Sequence, residues 1–305
     1  MNKVFRLTGI VSAPFTPMEE NGDIRFSAIG EYAQRLKKTG VAGVFIGGTT
    51  GESLSLTIEE RYQLAESWIE QQNENFHVIV HAGCESLRDA GKLARHAKQI
   101  DAAGVGAMPP VFFKPKFSEL VDFCKVIAAA CAPLPFYFYH IPSMTGINHS
   151  MLELAKVCSN NIENFRGIKY THNDLVEYSL LCENDGDGLD FLYGRDETLL
   201  AGLSFGAKGM IGSTYNYAMP VYRELVKAFR DGDVETARMW QLRSQKIVTV
   251  LSAHGGGIGR GKALMKIAGF DAGGCRLPNR KVESREITQA RSELEDADVL
   301  KYLAI

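Results

Sequence analysis

Short apolar runs recur through the first 214 residues of this chain of 305, and helical patterns lie between them. Apolar residues in each run are continuous rather than alternating, which is typical of parallel strands that are covered by helices. Eight such strands alternating with helices predict a (β/α)8 barrel; a doubly wound sheet is the alternative, because it has the same order of elements. The runs are Leu7–Phe15, Val41–Gly48, Phe76–Gly83, Gly104–Pro110, Leu134–His140, Phe165–Tyr170, Asp190–Gly194 and Lys208–Thr214.

The clearest helix start lies between the second and third runs. Thr57 and Glu60 have the spacing of a capping box, in which each side chain accepts a hydrogen bond from the other's backbone N–H. Beyond about residue 232 the pattern is helical only, with one apolar stripe from Ala237 to Leu251 and another from Ile287 to Ala297. We therefore predict a barrel domain over residues 1–231 and a helical extension packed on it over residues 232–305.

Composition limits the partners and the compartment. A formal charge of -2, without a basic stripe that carries aromatic residues, predicts that neither nucleic acid nor an anionic membrane is bound. No apolar run approaches the roughly 18 residues of a membrane span. The first 15 residues resemble no signal peptide, and the six scattered cysteines form no CxxC pair. We expect reduced thiols and a cytoplasmic protein.

Two segments resemble catalytic motifs but lie in the wrong context. Gly256–Ala263 nearly matches a phosphate-binding Walker A loop, but Ala263 stands where Ser or Thr must hold magnesium, and a helical pattern precedes it. We interpret this segment as a flexible break between two helices. Gly202-Leu-Ser-Phe-Gly206 matches the nucleophile elbow of hydrolases, but the elbow needs a strand before the serine and a helix after it. Here the predicted order is reversed, and Gly206 is better explained as a left-handed residue that ends a helix.

Polar residues follow or end five of the predicted strands, which in a barrel places them at the catalytic mouth. Each also has a purely structural explanation: Asp196 could cap a helix, Thr49 and Thr50 could cap the next one, and Lys169 could be ion-paired. Their shared position favours a functional role. The residues concerned are Thr49, Thr50, Tyr139, Lys169, Gly194, Asp196, Glu197 and Ser213.

Lys169 ends an apolar strand, where a charged ammonium is costly unless it is paired. If burial keeps the amine neutral, it is a nucleophile that forms a Schiff base with a ketone, without a metal or a nucleotide cofactor. Tyr139 is the candidate proton shuttle. His140 is its rival, but neighbouring residues of a strand face opposite sides, so His140 should face the helices if Tyr139 faces inward.

The remaining polar groups indicate the substrate. Thr49 and Thr50 offer hydroxyls in a glycine-rich turn and could anchor a carboxylate. Asp196, Glu197 and Ser213 offer acceptors on the other side of the mouth, and two carboxylates suit a polyhydroxylated tail better than an anionic one. The predicted substrate is therefore a small 2-oxo acid with hydroxyl groups.

Four motifs in order resemble the N-acetylneuraminate lyase subfamily of the dihydrodipicolinate synthase superfamily: Gly47-Gly-Thr-Thr-Gly-Glu52, Tyr139-His-Ile-Pro142, Gly167-Ile-Lys169 and Gly212-Ser-Thr-Tyr-Asn-Tyr217. The resemblance covers nearly the whole chain. It implies a barrel with a C-terminal helical bundle, a homotetramer, and reversible cleavage of N-acetylneuraminate to pyruvate and N-acetylmannosamine. The residue roles it implies are a Schiff-base lysine at Lys169, a proton-relay tyrosine at Tyr139, pyruvyl-carboxylate binding by Thr49 and Thr50, and sugar binding by Thr171, Gly194, Asp196, Glu197 and Ser213.

The chain departs from the family pattern at two places. Phe112 and Phe113 stand where many members carry a tyrosine donated across a subunit interface, and Met144 stands where the synthases carry a carboxylate-binding arginine. Met144 argues against synthase activity. Two other hypotheses stay open: the same Schiff-base chemistry on another 2-oxo sugar acid such as 2-keto-3-deoxygluconate, and a sugar-acid sensor without catalysis.

Overall fold

The eight strands close into one parallel barrel, in which each strand pairs with the next and the last pairs with the first. The structure is a computed structural model that describes residues 6–183 and 188–305. Closure confirms the (β/α)8 barrel and excludes the doubly wound sheet, whose edge strands would be unpaired. The strands are β1 Gly9–Ser12, β2 Gly43–Ile46, β3 His77–His81, β4 Gly104–Ala107, β5 Phe136–His140, β6 Phe165–Tyr170, β7 Asp190–Tyr193 and β8 Gly209–Gly212.

Helices surround the barrel and continue beyond it. The predicted capping box is present at the start of α2, where Thr57 Oγ1 accepts from Glu60 N at 3.2 Å and Glu60 Oε2 accepts from Thr57 N at 2.8 Å. None of the helices in the described part of the chain is long and apolar enough to cross a membrane. The helices are α1 Ile29–Thr39, α2 Ile58–Ile69, α3 Leu87–Gln99, α4 Phe117–Cys131, α5 Pro142–Thr145, α6 Met151–Asn161, α7 Leu175–Glu183, α8 Leu199–Ser204, α9 Met219–Arg230, α10 Val234–Ser252, α11 Gly257–Ile267 and α12 Ser284–Asp296.

Two apolar clusters share the strands. The larger lies between the strands and the helices and includes Trp68 and Tyr32, whose ring centroids are 5.5 Å apart. The smaller fills the barrel itself, as expected of a barrel whose interior is packed rather than open. Its buried members are Leu7, Val11, Ala13, Phe45, Ile79, Met108, Tyr137, Tyr139, Ile141, Leu192 and Ile211.

The segment that resembles a Walker loop has a structural role. Four residues, Ala253–Gly256, separate α10 from α11, and the residues from Gly259 to Lys262 are helical and buried. Only Gly256 of the segment Gly256–Ala263 lies in this break, so the interpretation of the whole segment as a break between helices is wrong from Gly257 onward. The buried Lys262 ammonium is neutralised inside the protein, with Nζ 2.9 Å from Glu52 Oε1. That contact engages the lysine a phosphate loop would need.

The segment that resembles a nucleophile elbow has the predicted order of elements, with α8 before the serine and β8 after it. Gly206 has φ +96° and follows the last turn of α8, where its N–H donates to Leu203 O. This confirms the left-handed helix end, a conformation that glycine adopts without steric cost.

Candidate active site

An open cavity of about 270 Å³ lies at the carboxyl ends of the strands. It brings together all of the site residues predicted above, from β5, β6 and the segments that follow β2, β6, β7 and β8. Residues of α10 complete its wall. The lining is Ala13, Thr49, Thr50, Tyr139, Ile141, Lys169, Thr171, Gly194, Arg195, Asp196, Glu197, Ile211, Gly212, Ser213, Thr214, Val248 and Leu251.

A β-bulge turns Lys169 into the barrel. Phe136 pairs with Phe165, but the next residue of β5, Tyr137, pairs with Gly167, so Arg166 is the extra residue. Strict alternation from the outward-facing Phe165 would place Lys169 on the helix side, and the extra residue reverses this. Glycine is needed at 167, since φ is +145° and a Cβ would lie 1.9 Å from Asp190 O.

The Lys169 ammonium is almost completely buried among aromatic rings. Nζ lies 3.8 Å from the centroid of the Tyr139 ring and 4.2 Å from that of the Phe45 ring, and the residue is 4% exposed. Burial lowers the pKa of Lys169, because the charged amine loses its hydration, while the nearby Tyr139 and Asp196 act in the opposite direction. The net effect raises the fraction of neutral, nucleophilic amine.

Tyr139 faces the barrel interior beside the lysine, and His140 faces away from it. The Tyr139 hydroxyl lies 3.4 Å from Thr49 Oγ1, within hydrogen-bond distance. His140 packs outside the barrel, with its ring 5.2 Å from that of Tyr170. Burial lowers the pKa of His140 to about 3. The alternation argument for the two neighbours is therefore confirmed, and His140 has no access to the cavity.

The turn Gly47–Glu52 carries Thr49 and Thr50, and it has left-handed residues at both ends. Gly47 has φ +60° and Glu52 has φ +57°. Side chains from two distant segments hold its end: Thr16 Oγ1 donates to Gly51 O at 2.7 Å, and Lys262 pairs with the buried Glu52 carboxylate. Because Lys262 belongs to α11, the conformation of the turn Gly47–Glu52 depends on that helix as well as on the barrel.

Asp196 is the most constrained carboxylate of the cavity. One oxygen, Oδ2, accepts from Thr214 N at 2.8 Å and from Thr214 Oγ1 at 2.6 Å. Burial raises the pKa of Asp196 to about 6, although the hydrogen bonds from Thr214 oppose this. The carboxylate is therefore charged at neutral pH and becomes protonated in mildly acidic solution.

Glu197 differs from the sequence-based expectation in one respect. Its carboxylate forms an ion pair with Arg195 Nη2, so the two acids of the mouth do not add two net negative charges. The predicted preference for an uncharged tail over an anionic one therefore rests on Asp196 more than on Glu197. Glu197 itself is about a third exposed at 31%, whereas the Asp196 side chain is enclosed.

Thr171 and Gly194, each just after the end of a strand, form a close pair in the cavity lining. The Thr171 hydroxyl is buried and has no hydrogen-bond partner among the described residues, which leaves it for a ligand. A Cβ at position 194 would lie 2.0 Å from Thr171 Oγ1, so glycine is required there. Ser213 lies at the end of β8, directly before Thr214.

Sequence reasoning missed several lining residues. Thr214 could have been found, since it follows Ser213 at the same strand end. Val248 and Leu251, on α10, carried no signal, because their position depends on where that helix packs. Phe45 does not line the cavity, and its contact with Lys169 was also missed, because it depends on barrel register. The cavity therefore includes a wall from the extension.

The two phenylalanines at the first departure from the family pattern lie away from this cavity. Phe112 and Phe113 are 79% and 80% exposed on the loop after β4, where their rings meet edge to face at 5.1 Å. Met144 is also exposed and lines an adjoining cavity beside Thr49 and Thr50. Within residues 6–183 and 188–305, no group of three His, Cys, Asp or Glu side chains is placed to hold a metal ion.

Comparison with known proteins agrees with this geometry. Residues 6–297 match the model of the dihydrodipicolinate synthetase family. The chain is 38% identical to N-acetylneuraminate lyase of Mus musculus, over 97% of this chain and 94% of that protein, and 39% identical to that of Homo sapiens, with the same coverage. The structure of Proteus mirabilis N-acetylneuraminate lyase superposes with a TM-score of 0.92 at 33% identity, covering 97% of this chain and all of that one. That of the Aliivibrio salmonicida enzyme superposes with a TM-score of 0.93 at 34% identity, covering 98% and 100%. The chain belongs to the dihydrodipicolinate synthetase family.

Proposed function

We propose that this protein is a class I aldolase that reversibly cleaves N-acetylneuraminate to pyruvate and N-acetylmannosamine. The observation that carries the proposal is the buried Lys169 amine at the cavity floor, 3.8 Å from the ring of Tyr139. The relatives reported above carry the name of this activity. Simple binding of a sugar acid would need neither an amine of lowered pKa nor an adjacent phenol, which favours catalysis over a sensor.

Binding begins at the two sides of the cavity. Thr49 and Thr50 hold the carboxylate of the open-chain 2-oxo acid, which places its C2 ketone over Lys169. The sugar-derived part extends across the mouth, where Asp196, Glu197 and Ser213 accept or donate hydrogen bonds to its hydroxyls and the buried Thr171 hydroxyl gains a partner. Gly194 leaves the space for that contact.

Lys169 then attacks the ketone, and Tyr139 gives its proton to the departing water as the iminium forms. The resulting Tyr139 phenolate removes the proton of the C4 hydroxyl, the C3–C4 bond breaks, and its electron pair moves to the iminium to form an enamine. N-acetylmannosamine leaves as the aldehyde. Tyr139 then gives this proton to C3 of the enamine. Water hydrolyses the iminium and releases pyruvate, and the proton set free returns to Tyr139. Every group in this path belongs to the chain or to the substrate, so we propose that no metal or nucleotide cofactor takes part.

The assembly and the compartment belong to the same proposal. We propose a cytoplasmic homotetramer that binds its small-molecule substrate and neither nucleic acid nor membrane. The exposed Phe112 and Phe113 support association, because two adjacent aromatic rings in water are favourable to bury between copies. We also propose residues 1–231 as the catalytic barrel and residues 232–305 as an extension that completes the cavity wall through α10.

Pyruvate release from N-acetylneuraminate, coupled to lactate dehydrogenase, tests the activity. We expect steady NADH oxidation that depends on the enzyme and on the sugar acid. Faster turnover of 2-keto-3-deoxygluconate than of N-acetylneuraminate would contradict the proposed substrate and retain the Schiff-base chemistry. Tight binding of N-acetylneuraminate in calorimetry with no pyruvate released would support a sensor instead.

A further inference from the structure

The imidazole of His81 connects three strand ends beneath the cavity. His81 is the last residue of β3 and is 1% exposed. Its Nδ1 lies 2.8 Å from Gly47 O, just after β2, and its Nε2 lies 3.2 Å from the backbone N of Met108, just after β4. Because the Met108 N–H can only donate, Nε2 is the acceptor. The ring proton is therefore on Nδ1, which donates to Gly47 O.

The carbonyl that receives this proton belongs to the first residue of the turn that carries Thr49 and Thr50. Gly47 has φ +60°, and its carbonyl direction determines how the chain enters the turn. The same imidazole contacts Tyr139 edge to face, with ring centroids 5.9 Å apart. One side chain thus contacts both the turn and the phenol, whose hydroxyl lies 3.4 Å from Thr49 Oγ1.

Burial, reinforced by neighbouring basic groups, keeps the ring neutral. Arg61 Nη2 donates to His81 O at 2.7 Å and lies 3.5 Å from Nδ1, and the Lys169 amine is on the cavity side. Burial lowers the pKa of His81 well below its ordinary value, the Arg61 guanidinium lowers it further, and Lys169 does so when it is protonated. A protonated ring would also lose the acceptor for Met108 N. The neutral Nδ1–H tautomer of His81 therefore persists over the pH range in which the enzyme is expected to work.

We infer that His81 is a positioning residue: its neutral imidazole holds the Gly47 carbonyl and thereby sets Thr49 and Thr50 at the distance from Tyr139 that substrate-carboxylate binding requires. This inference rests on the proposed function, since it assigns the turn to the carboxylate of a 2-oxo acid. It predicts that substrate affinity depends on the bond to Gly47 far more than on the bond to Met108.

Two substitutions separate the two bonds. The side-chain nitrogen of asparagine coincides with a histidine Nδ1, so His81→Asn keeps a donor to Gly47 O and loses the bond to Met108. The side-chain oxygen of glutamine coincides with Nε2, so His81→Gln keeps the acceptor for Met108 N and loses the bond to Gly47. We expect His81→Gln to raise KM for N-acetylneuraminate by about tenfold, the effect of one lost hydrogen bond, with a smaller change in kcat. For His81→Asn we expect KM within about threefold of the original.

Tyr137→Phe is the matched control for losing one buried hydrogen bond in the barrel. In the unmodified protein the Tyr137 hydroxyl donates to Asp190 Oδ2 at 3.0 Å. This bond lies near the ends of the strands opposite the cavity, so its loss should lower stability and leave KM unchanged. Thermal unfolding of all variants shows which remain folded at the assay temperature. Equal KM values for His81→Asn and His81→Gln would overturn the inference, as would a larger KM for His81→Asn.

Pyruvate trapping separates this outcome from failure of the proposed function. The unmodified protein should be labelled when borohydride is added with pyruvate, and half-maximal labelling should need more pyruvate for His81→Gln than for His81→Asn. If the unmodified protein is not labelled at all, the proposed function fails. If it is labelled but both variants need the same pyruvate concentration, only the positioning role of His81 fails.

Discussion

Tyr139 and Lys169 occupy paired positions on β5 and β6, and the Lys169 amine lies over the Tyr139 ring at 3.8 Å. An aromatic face favours an ammonium over a neutral amine, whereas burial favours the neutral form. Burial is the larger effect here, since the pKa of Lys169 is lowered overall. The pair therefore combines an amine that can be neutral with a phenol that can exchange a proton with the substrate.

Replacing the lysine should abolish covalent chemistry. We expect Lys169→Ala to lose borohydride trapping of pyruvate and at least about a thousandfold in kcat/KM, since no other amine reaches the cavity lining within the described residues. Lys169→Arg should fail equally, because a guanidinium is always charged. Lys125→Ala, at an exposed site on α4, is the control. Persistent labelling of Lys169→Ala in intact-mass measurement would contradict the assignment.

Removing only the phenol hydroxyl should slow the chemical steps. We expect Tyr139→Phe to lower kcat by about a hundredfold to ten-thousandfold, the usual contribution of a positioned acid–base group, while the ring that covers Lys169 remains. Steady-state pyruvate release measures the effect. Tyr137→Phe, two residues earlier on the same face of β5, should retain kcat. Equal kcat values for the two variants would show that the Tyr139 hydroxyl moves no proton.

Asp196 should reduce stability as pH rises. Its pKa is raised by burial to about 6 from an ordinary 3.8, so the folded protein binds this proton more tightly than the unfolded chain. Protonated Asp196 therefore stabilises the fold relative to its ionised form. This contribution to the free energy of unfolding is fully present below about pH 4 and is lost as pH rises through about 6. Asp196→Asn keeps an acceptor for Thr214 and should raise the free energy of unfolding at pH 7.5 by about 1 to 3 kcal/mol.

Urea unfolding at pH 4 and pH 7.5 measures this difference, with the exposed Asp231→Asn as control. The same titration should affect binding, because a charged acceptor binds hydroxyls more strongly than a protonated one. We expect KM for N-acetylneuraminate to rise as pH falls below about 6, and to be larger in Asp196→Asn with little pH dependence. A pH-independent KM in the unmodified enzyme would show that Asp196 does not bind the substrate as a carboxylate.

The ion pair between Glu52 and Lys262 should couple the extension to the carboxylate-binding turn. Both side chains are nearly inaccessible to solvent, at 0% and 2%. Lys262→Met leaves a buried carboxylate without its cation and should lower the free energy of unfolding by about 3 to 5 kcal/mol. The double variant Glu52→Gln/Lys262→Met should recover much of this loss, because no charge remains buried.

Denaturant unfolding of both single variants and the double variant gives the coupling energy as a double-mutant cycle. Arg238→Met, which removes an exposed ion pair with Glu235 at the start of α10, is the control and should have little effect. If the double variant is no more stable than Lys262→Met, the two charges do not interact in the way that the structure indicates.

The barrel was predictable because its signals are local. Each strand is buried on both faces and therefore reads as a continuous apolar run, and Thr57 with Glu60 marks a helix start by spacing alone. The positions of Tyr139 near the end of a strand, and of Asp196 and Ser213 just after strands, were equally predictable from the sequence. The ion pair between Arg195 and Glu197 was not predictable, because the side-chain directions of two nearby loop residues depend on the surrounding tertiary structure.

The sequence by itself determined the order of the elements and which polar residues lie at strand ends, because burial of a strand and capping of a helix depend on near neighbours. Tertiary structure alone decided that Lys169 faces the cavity. A regular β6 would have turned it toward the helices, and only pairing with β5 reveals the extra residue, Arg166, that reverses the face. Lys262 is a similar case, since its partner Glu52 is distant in the chain and becomes visible only when α11 packs on the turn. Long-range register and packing leave no periodic trace in a single chain, which is why the catalytic geometry required the fold.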